Sequence, residues 1–188
     1  HLMGMADQVL GARVPVIHGH EAPLQTGREA GTAAPAQIGI LENLQADARM
    51  SNLDLAAAIG LSPTPCARRV KRLEESGLIR GHVTLLDQQQ LGLTLTAFIS
   101  ISMDRHTPDR FDAFEEAVRD YPEVVECNVV TGQNSDYLVQ VVVPDMTYYE
   151  RFLLGKLTRI PGVTGVHSSF VLRRVVQRTA LPLEHTAR

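Results

Sequence analysis

Four of the five positions from 68 to 72 carry basic side chains, and no acidic residue lies between Ser62 and Arg72. Guanidinium groups donate paired hydrogen bonds to phosphate oxygens and to the acceptor edge of guanine, whereas an ammonium group acts as a point charge. The pattern indicates a polyanion-binding surface, and a solvated helix face is the alternative interpretation. The four residues are Arg68, Arg69, Lys71 and Arg72.

The chain as a whole is not basic. Its 188 residues include 18 Lys and Arg against 21 Asp and Glu, a formal net charge of −3, which excludes a histone-like binder. Any nucleic-acid surface must therefore be local. No apolar run approaches the ~20 residues of a membrane helix, so we expect no membrane partner. Two cysteines, Cys66 and Cys127, favour a reducing, cytoplasmic compartment.

A helix-turn-helix is predicted over Asn52–Lys71. Ser51 and Asp54 have the spacing of a capping box, which begins a short helix that ends at Gly60. Ser62 and the proline after it suit the N-cap and first position of a second helix, because proline has no N–H to lose there. A helix ending near residue 46 is predicted before this pair.

The second helix is predicted to run to about Ser76, with Cys66, Val70 and Leu73 facing inward. A small β-hairpin over residues 78–85 would complete a winged helix-turn-helix, in which the N-terminal end of the second helix meets the base edges. The residues assigned to a DNA contact are Ser62, Thr64, Pro65, Arg68, Arg69 and Arg72.

Residues 95–177 show a different pattern, with alternating apolar positions that are typical of strands. Strands are predicted at 95–103, 124–130, 136–143 and 163–176, with helices that begin at Thr107 and Pro144. The resulting order, βαββαβ, is a ferredoxin-like split βαβ unit. The fold class is therefore α+β, with an N-terminal winged helix-turn-helix and a C-terminal ferredoxin-like sandwich.

A polar turn between two apolar strands is the second candidate site. Asp136 could pair with an ammonium group and the turn amides could hold a carboxylate, which are the two charged groups of a free amino acid. An ordinary hairpin loop is the alternative. The residues of this turn are Thr131, Gly132, Gln133, Asn134, Ser135, Asp136 and Tyr137.

Several segments together resemble the Lrp/AsnC transcription regulators. Residues 56–74, AAAIGLSPTPCARRVKRLE, and the GLIRG that begins at Gly77 resemble the family's DNA-binding domain. LGL at 91–93, PGV at 161–163 and SSFVL at 168–172 match later parts of its pattern, so the resemblance covers about residues 36–183. One difference is that three residues separate Gly132 from Asp136, where the family usually has two.

The resemblance implies a cytoplasmic regulator of amino-acid metabolism that binds double-stranded DNA. It also implies an amino-acid effector at the loop from Thr131 to Tyr137, between subunits, and sheets that pair into dimers and assemble further into octamers. We expect no metal, because His82, His106 and His167 are isolated and no Cys/His cluster has zinc-ligand spacing. No other cofactor is expected.

Two alternatives remain open. The first is a small ferredoxin-like sensor or enzyme with an accessory protein-binding helical domain; acylphosphatase chemistry would need a cationic phosphate cradle, and residues 104–107 form a poor one. The second is a winged helix that binds protein. We expect no enzyme, since the chain has no G-x-S-x-G, P-loop or catalytic Cys/His pair.

The predicted organisation has five parts. They are a leader at 1–34 that is disordered or derived from an expression vector, a DNA-binding domain at 35–87, a linker at 88–94, an effector-binding and oligomerisation domain at 95–177, and a tail at 178–188.

Overall fold

The computed structural model describes residues 35–132 and 135–184. The predicted leader at 1–34 lies outside these residues. The chain divides into two compact units, which we call the helical unit and the sheet unit. Among the described residues, the helical unit contains 35–85 and 175–184, and the sheet unit contains 86–174 apart from the gap.

Three helices form the framework of the helical unit: α1 (Pro35–Ala46), α2 (Asn52–Ala58) and α3 (Pro63–Glu75). Their small core confirms the predicted inward positions. Gly39 lets α1 approach α2 closely, because a Cβ there would lie 3.2 Å from Ile59 Cγ2. The buried side chains of this core are Ile40, Leu55, Ala56, Cys66 and Leu73.

The predicted hairpin at 78–85 is wrong as a pair of strands, since the structure has no strand there. The end of α3 takes up its first half: Ile79 N donates to Leu73 O at 3.0 Å, and the Ile79 side chain packs against the helical core. Too few residues then remain before the glycine turn to make a first strand. The segment after α3 is therefore irregular.

The sheet unit has the predicted βαββαβ order. Its strands form one antiparallel sheet in the order β2-β3-β1-β4. The elements are β1 (Leu95–Met103), α4 (Pro108–Arg119), β2 (Val124–Val129), β3 (Tyr137–Val143), α5 (Met146–Gly155), a single 3₁₀ turn (Leu157–Arg159) and β4 (Val163–Phe170).

Alternate residues of the two central strands are buried on one face of this sheet. Ile99 and Ile101 of β1 and Val139 and Val141 of β3 are fully buried, together with Phe114 and Phe152 of the two helices. Phe98, Leu138 and Val142 point to the opposite face, as the alternation of side chains requires. The sheet is thus half-covered within the unit.

Strand β4 ends at Phe170, so the prediction of a strand to Val176 is wrong over its last six positions. β4 pairs with β1, and the pairing ends at Ala97 opposite Phe170. One further bond joins Val171 N to Thr96 O at 3.0 Å. Because β1 begins at Leu95, no partner backbone remains for a longer β4.

Among the described residues, no helix is both long and apolar enough to cross a bilayer.

We predict that Gly162→Ala destabilises the sheet unit by about 1–3 kcal/mol. Gly162 has φ +97, and an added Cβ would lie 3.0 Å from Met103 Cε and 3.1 Å from Asp104 Oδ1. Gly155→Ala is the matched control, because its Cβ would meet nothing within 4 Å. Denaturant unfolding measures both changes, and equal stability of the two variants would contradict the prediction.

Candidate functional site

α3, the second helix of the predicted helix-turn-helix and its expected recognition helix, begins at the predicted position but without a side-chain cap. Ser62 has the extended backbone of an N-cap, yet its side chain makes no capping hydrogen bond. Pro63 and Pro65 reduce the need for a cap, since they leave Thr64 as the one N–H donor among the first three helical positions. Asn52 Nδ2 donates to Pro63 O at 3.0 Å and ties the starts of α2 and α3 together.

The turn between the two helices depends on a glycine. Gly60 has φ +67, a left-handed conformation that other residues adopt at a cost. Leu61 N then donates to Ala56 O at 2.9 Å, which closes the end of α2. At the start of α2, Asp54 N donates to Ser51 Oγ at 3.2 Å, which confirms Ser51 as the cap. The other half of the predicted capping box differs, because Asp54 Oδ2 accepts from the Ser51 hydroxyl at 2.6 Å, where a capping box would use the Ser51 backbone N–H.

One stripe of α3 points away from the helical core. Thr64, Arg68 and Lys71 are exposed at helical spacing, on the side opposite the buried Cys66 and Leu73. Lys71, which the sequence assignment of contacts omitted, lies on this stripe with its Nζ 3.6 Å from Glu75 Oε1. The stripe therefore carries two cations, of which Lys71 is paired with an acid and Arg68 is not within an ion pair in the described part of the chain.

The three predicted arginines differ in environment. Arg68 and Arg72 are exposed, whereas Arg69 is half-buried. Arg69 Nη1 lies 3.5 Å from Pro65 O on the preceding turn of the same helix. Burial raises the pKa of the neighbouring Cys66 thiol, and the charge of Arg69 opposes that rise in part. Cys66 is thus a core residue, as expected.

The polar turn Thr131–Tyr137, predicted as an effector site and called the effector loop below, joins β2 to β3 in the sheet unit. Thr131 and Gly132 are exposed, Ser135 and Asp136 are half-buried, and Tyr137 is buried. Gln133 and Asn134 lie outside the described residues. The base of the loop is closed by Val130 N, which donates to Asp136 O at 2.9 Å.

The Asp136 carboxylate connects three segments of the sheet unit. Its Oδ2 accepts from Met103 N at 2.7 Å at the end of β1, and its Oδ1 lies 2.8 Å from His106 Nε2. Asp136 N also donates to Ile101 O at 2.7 Å. The loop is therefore anchored to β1 through both backbone and side chain, and an incoming ammonium group would have to share this carboxylate with His106.

Sequence reasoning missed His106. Thirty positions separate it from Asp136, and nothing in the local pattern connects the two. Its side chain is 72% exposed, so it sits at the edge of the loop rather than in the core. His106 also faces Phe111, with ring centroids 6.0 Å apart, and Phe111 contacts Tyr137 edge-on at 5.5 Å.

Tyr137 anchors the loop from the buried side. Its hydroxyl donates to Glu115 Oε1 at 2.8 Å, which connects the start of β3 to α4. Burial and this carboxylate together raise the pKa of the Tyr137 phenol, so the group is neutral at physiological pH. Tyr137 is therefore a structural support and makes a poor direct ligand for a charged group.

No group of His, Cys, Asp and Glu side chains within 35–132 and 135–184 is arranged to hold a metal ion.

Two family profiles match the chain. Residues 35–80 match a winged helix-turn-helix DNA-binding profile, and residues 96–181 match the Lrp/AsnC ligand binding domain. The Bkd operon transcriptional regulator of Pseudomonas aeruginosa is 44% identical over 146 residues, which are 78% of this chain and 95% of the relative. The leucine-responsive regulatory protein of Escherichia coli K12 is 41% identical over 145 residues, 77% of this chain and 88% of the relative.

Solved structures agree with this assignment. A transcriptional regulator of Neisseria meningitidis, determined as a complex with L-Met, superposes with a TM-score of 0.78 at 39% identity and covers 81% of this chain and 98% of its own. An AsnC family transcriptional regulator of Agrobacterium tumefaciens gives 0.77 at 37% identity, with 81% and 99% coverage. The chain therefore belongs to the Lrp/AsnC family of transcription regulators, with a helix-turn-helix that binds DNA and a domain that binds an amino-acid ligand, and it is not an enzyme.

Proposed function

We propose that this chain acts in the cytoplasm as a symmetric assembly that binds specific sites in DNA and regulates genes of amino-acid metabolism in response to a free amino acid. The observation that carries the proposal is the exposed stripe of α3, which is cationic beside a helix start tied firmly to α2. A helix N-terminus with exposed Ser, Thr and Arg side chains suits contact with phosphates and base edges.

Within the DNA contact we assign the central role to Arg68. Its side chain is exposed in the middle of the stripe, so its planar fork can reach the two acceptors of guanine. Arg72 lies one turn further from the helix start and suits a phosphate. Arg69 contributes less than Arg68, because its guanidinium group folds back toward Pro65 O. Ser62, Thr64 and Pro65 complete the contact at the first turn.

We predict that Arg68→Ala reduces the preference for the operator over random DNA by about 1–3 kcal/mol, whereas Arg72→Ala weakens both DNAs alike. Arg69→Ala should cost less discrimination than Arg68→Ala. Mobility shifts at fixed salt, with the DNA upstream of the protein's own gene as operator, measure these effects. Arg119→Ala on α4 is the control. Unchanged discrimination in Arg68→Ala would refute the assignment.

The uncovered face of the sheet supports an assembly of at least two chains. Phe98, Leu138 and Val142 lie on this face, and Phe98 is 37% exposed. Exposed apolar side chains on one face of a sheet mark an interaction surface. Two chains would also present two recognition helices to major grooves about one helical turn apart, which gives a longer site than one helix can read. Octamers are the larger assembly that we propose.

We predict that Phe98→Glu splits the assembly, because the charge would have to be buried where the sheets meet. Leu154→Glu is the matched control, since Leu154 is 56% exposed on α5, on the helix-covered side. Light scattering at micromolar concentration measures the mass of each variant. A wild-type monomer, or a Phe98→Glu variant with unchanged mass, would contradict the proposed surface.

The effector is proposed to bind at Thr131–Tyr137. A relative that crystallises with L-Met and relatives described as leucine-responsive favour an apolar amino acid. The carboxylate of Asp136 keeps lone pairs beyond its bonds to Met103 and His106, and these can accept an ammonium group. The exposed backbone at Gly132 is the complementary site for the ligand's carboxylate.

We predict that one or more of the twenty amino acids, with L-methionine and L-leucine tested first, stabilises the protein by about 2.7 kcal/mol at 100 times its Kd. Asp136→Asn should abolish this shift. It keeps an oxygen for Met103 N, so it should cost less stability than Asp136→Ala, which leaves that amide unpaired. Thermal shift measures the stability of each variant with and without the amino acid, and calorimetry measures the heat of binding. No heat with any amino acid, or a full response in Asp136→Asn, would refute the site.

A further inference from the structure

The C-terminal residues 175–184, which we call the tail strap, belong to the helical unit. The family profile for the ligand-binding domain runs to residue 181, so it assigns most of this segment to the other domain. Within the described residues the chain passes between the two units at Leu85/Leu86 and again at Arg174/Val175. The tail strap is therefore a covalent connection between the units in addition to the linker after Leu85.

One side chain of α1 holds the tail strap by its backbone. Gln45 Nε2 donates to Leu181 O at 3.1 Å, and Leu181 N donates to Gln45 Oε1 at 2.6 Å. The primary amide thus supplies one donor and one acceptor to the same residue, as a neighbouring antiparallel strand does. A glutamate at this position would keep the acceptor and lose the donor.

The tail strap forms one wall of a cavity of about 680 Å³ within the helical unit. Leu41 and Leu44 of α1 and the segment 78–85 form other walls. Leu183 is half-buried there, whereas the Leu181 side chain is 71% exposed, so the strap contacts the unit through the Leu181 backbone and the Leu183 side chain. Leu41, Leu44 and Ile79 supply apolar side chains to the same cavity that Leu183 lines.

The contact also reaches the end of the recognition helix. Ile79 lines the same cavity, packs against the helical core and donates its N–H to Leu73 O in the last turns of α3. A shift of the tail strap would therefore act on α1 and on the C-terminal end of α3 together.

We propose that α1 and residues 78–85 form a docking surface for the protein's own tail strap, and that Gln45 is the positioning residue through which the strap couples the sheet unit to the recognition helix. The strap follows β4 without interruption of the chain. A change at the end of the ligand-binding sheet thus reaches the DNA-binding unit through the strap as well as through the linker after Leu85.

The test compares Gln45→Ala, Gln45→Glu and the control Glu42→Ala, an exposed position on α1. Hydrogen exchange of the full-length protein, read by mass spectrometry on peptides containing Leu181, should be about tenfold faster in Gln45→Ala, because each lost bond contributes a factor of a few. The exchange rate of Gln45→Glu should lie between those of wild type and Gln45→Ala, and the rate of Glu42→Ala should equal that of wild type. Leu183→Ser tests the apolar half of the contact separately.

Affinity for the DNA upstream of the protein's own gene is the second readout, with a random fragment of equal length alongside. Gln45→Ala should lose about tenfold in affinity with its thermal midpoint held within a few degrees. The wild-type protein is measured first. If it does not prefer its own upstream DNA over the random fragment, the proposed function fails, and this result is separate from any effect of Gln45→Ala. A strap that exchanges at the unprotected rate in wild type, or unchanged affinity in Gln45→Ala once the strap is released, overturns the proposal.

Discussion

One-sided burial of the four-stranded sheet is the constraint on which the sheet unit depends. The helices α4 and α5 cover one face, so every second residue of β1 and β3 must be apolar, and those at the centre of both strands are fully buried. The other face keeps Phe98 and Leu138 among polar neighbours. A sheet with one buried face is stable only if its other face is polar enough to be solvated or is covered by another protein surface. The fold of the unit and its proposed assembly thus arise from the same alternation.

The helical unit follows a different rule, because its core is too small to determine its geometry alone. Residues at the helix ends determine where the helices begin and end. They are Ser51 with Asp54 at the start of α2, Gly60 in the turn, and the prolines at the start of α3. All of these signals lie within a few residues of the structure they specify. For this reason both helices, their inward faces and the exposure of Arg68 could be predicted from the sequence.

The features that could not be predicted connect residues far apart in the chain. His106 meets Asp136 across thirty positions, and Gln45 meets Leu181 across 136. Neither pair has a local pattern, since only the completed fold decides which polar groups lie together. The wrong hairpin has the same origin: residues 78–79 have a strand-like composition, but packing of Ile79 into the helical core uses them to end α3. Tertiary contacts here override local propensity.

The proposed effector site and α3 lie in different units, so any coupling between them requires parts of the chain that lead from one unit to the other. Among the described residues, these parts are the linker after Leu85 and the segment around Arg174 and Val175. A coupling free energy is reciprocal, so a connection that transmits the effector's influence to α3 transmits the influence of DNA back to the loop by the same factor. The hydrogen bond from Met103 N to the Asp136 carboxylate anchors the loop to β1, and β1 pairs directly with β4. β4, the strand that precedes the tail strap in the chain, is therefore paired with the strand to which Asp136 is anchored, and a ligand that changed the Asp136 contacts would act on the direct neighbour of β4.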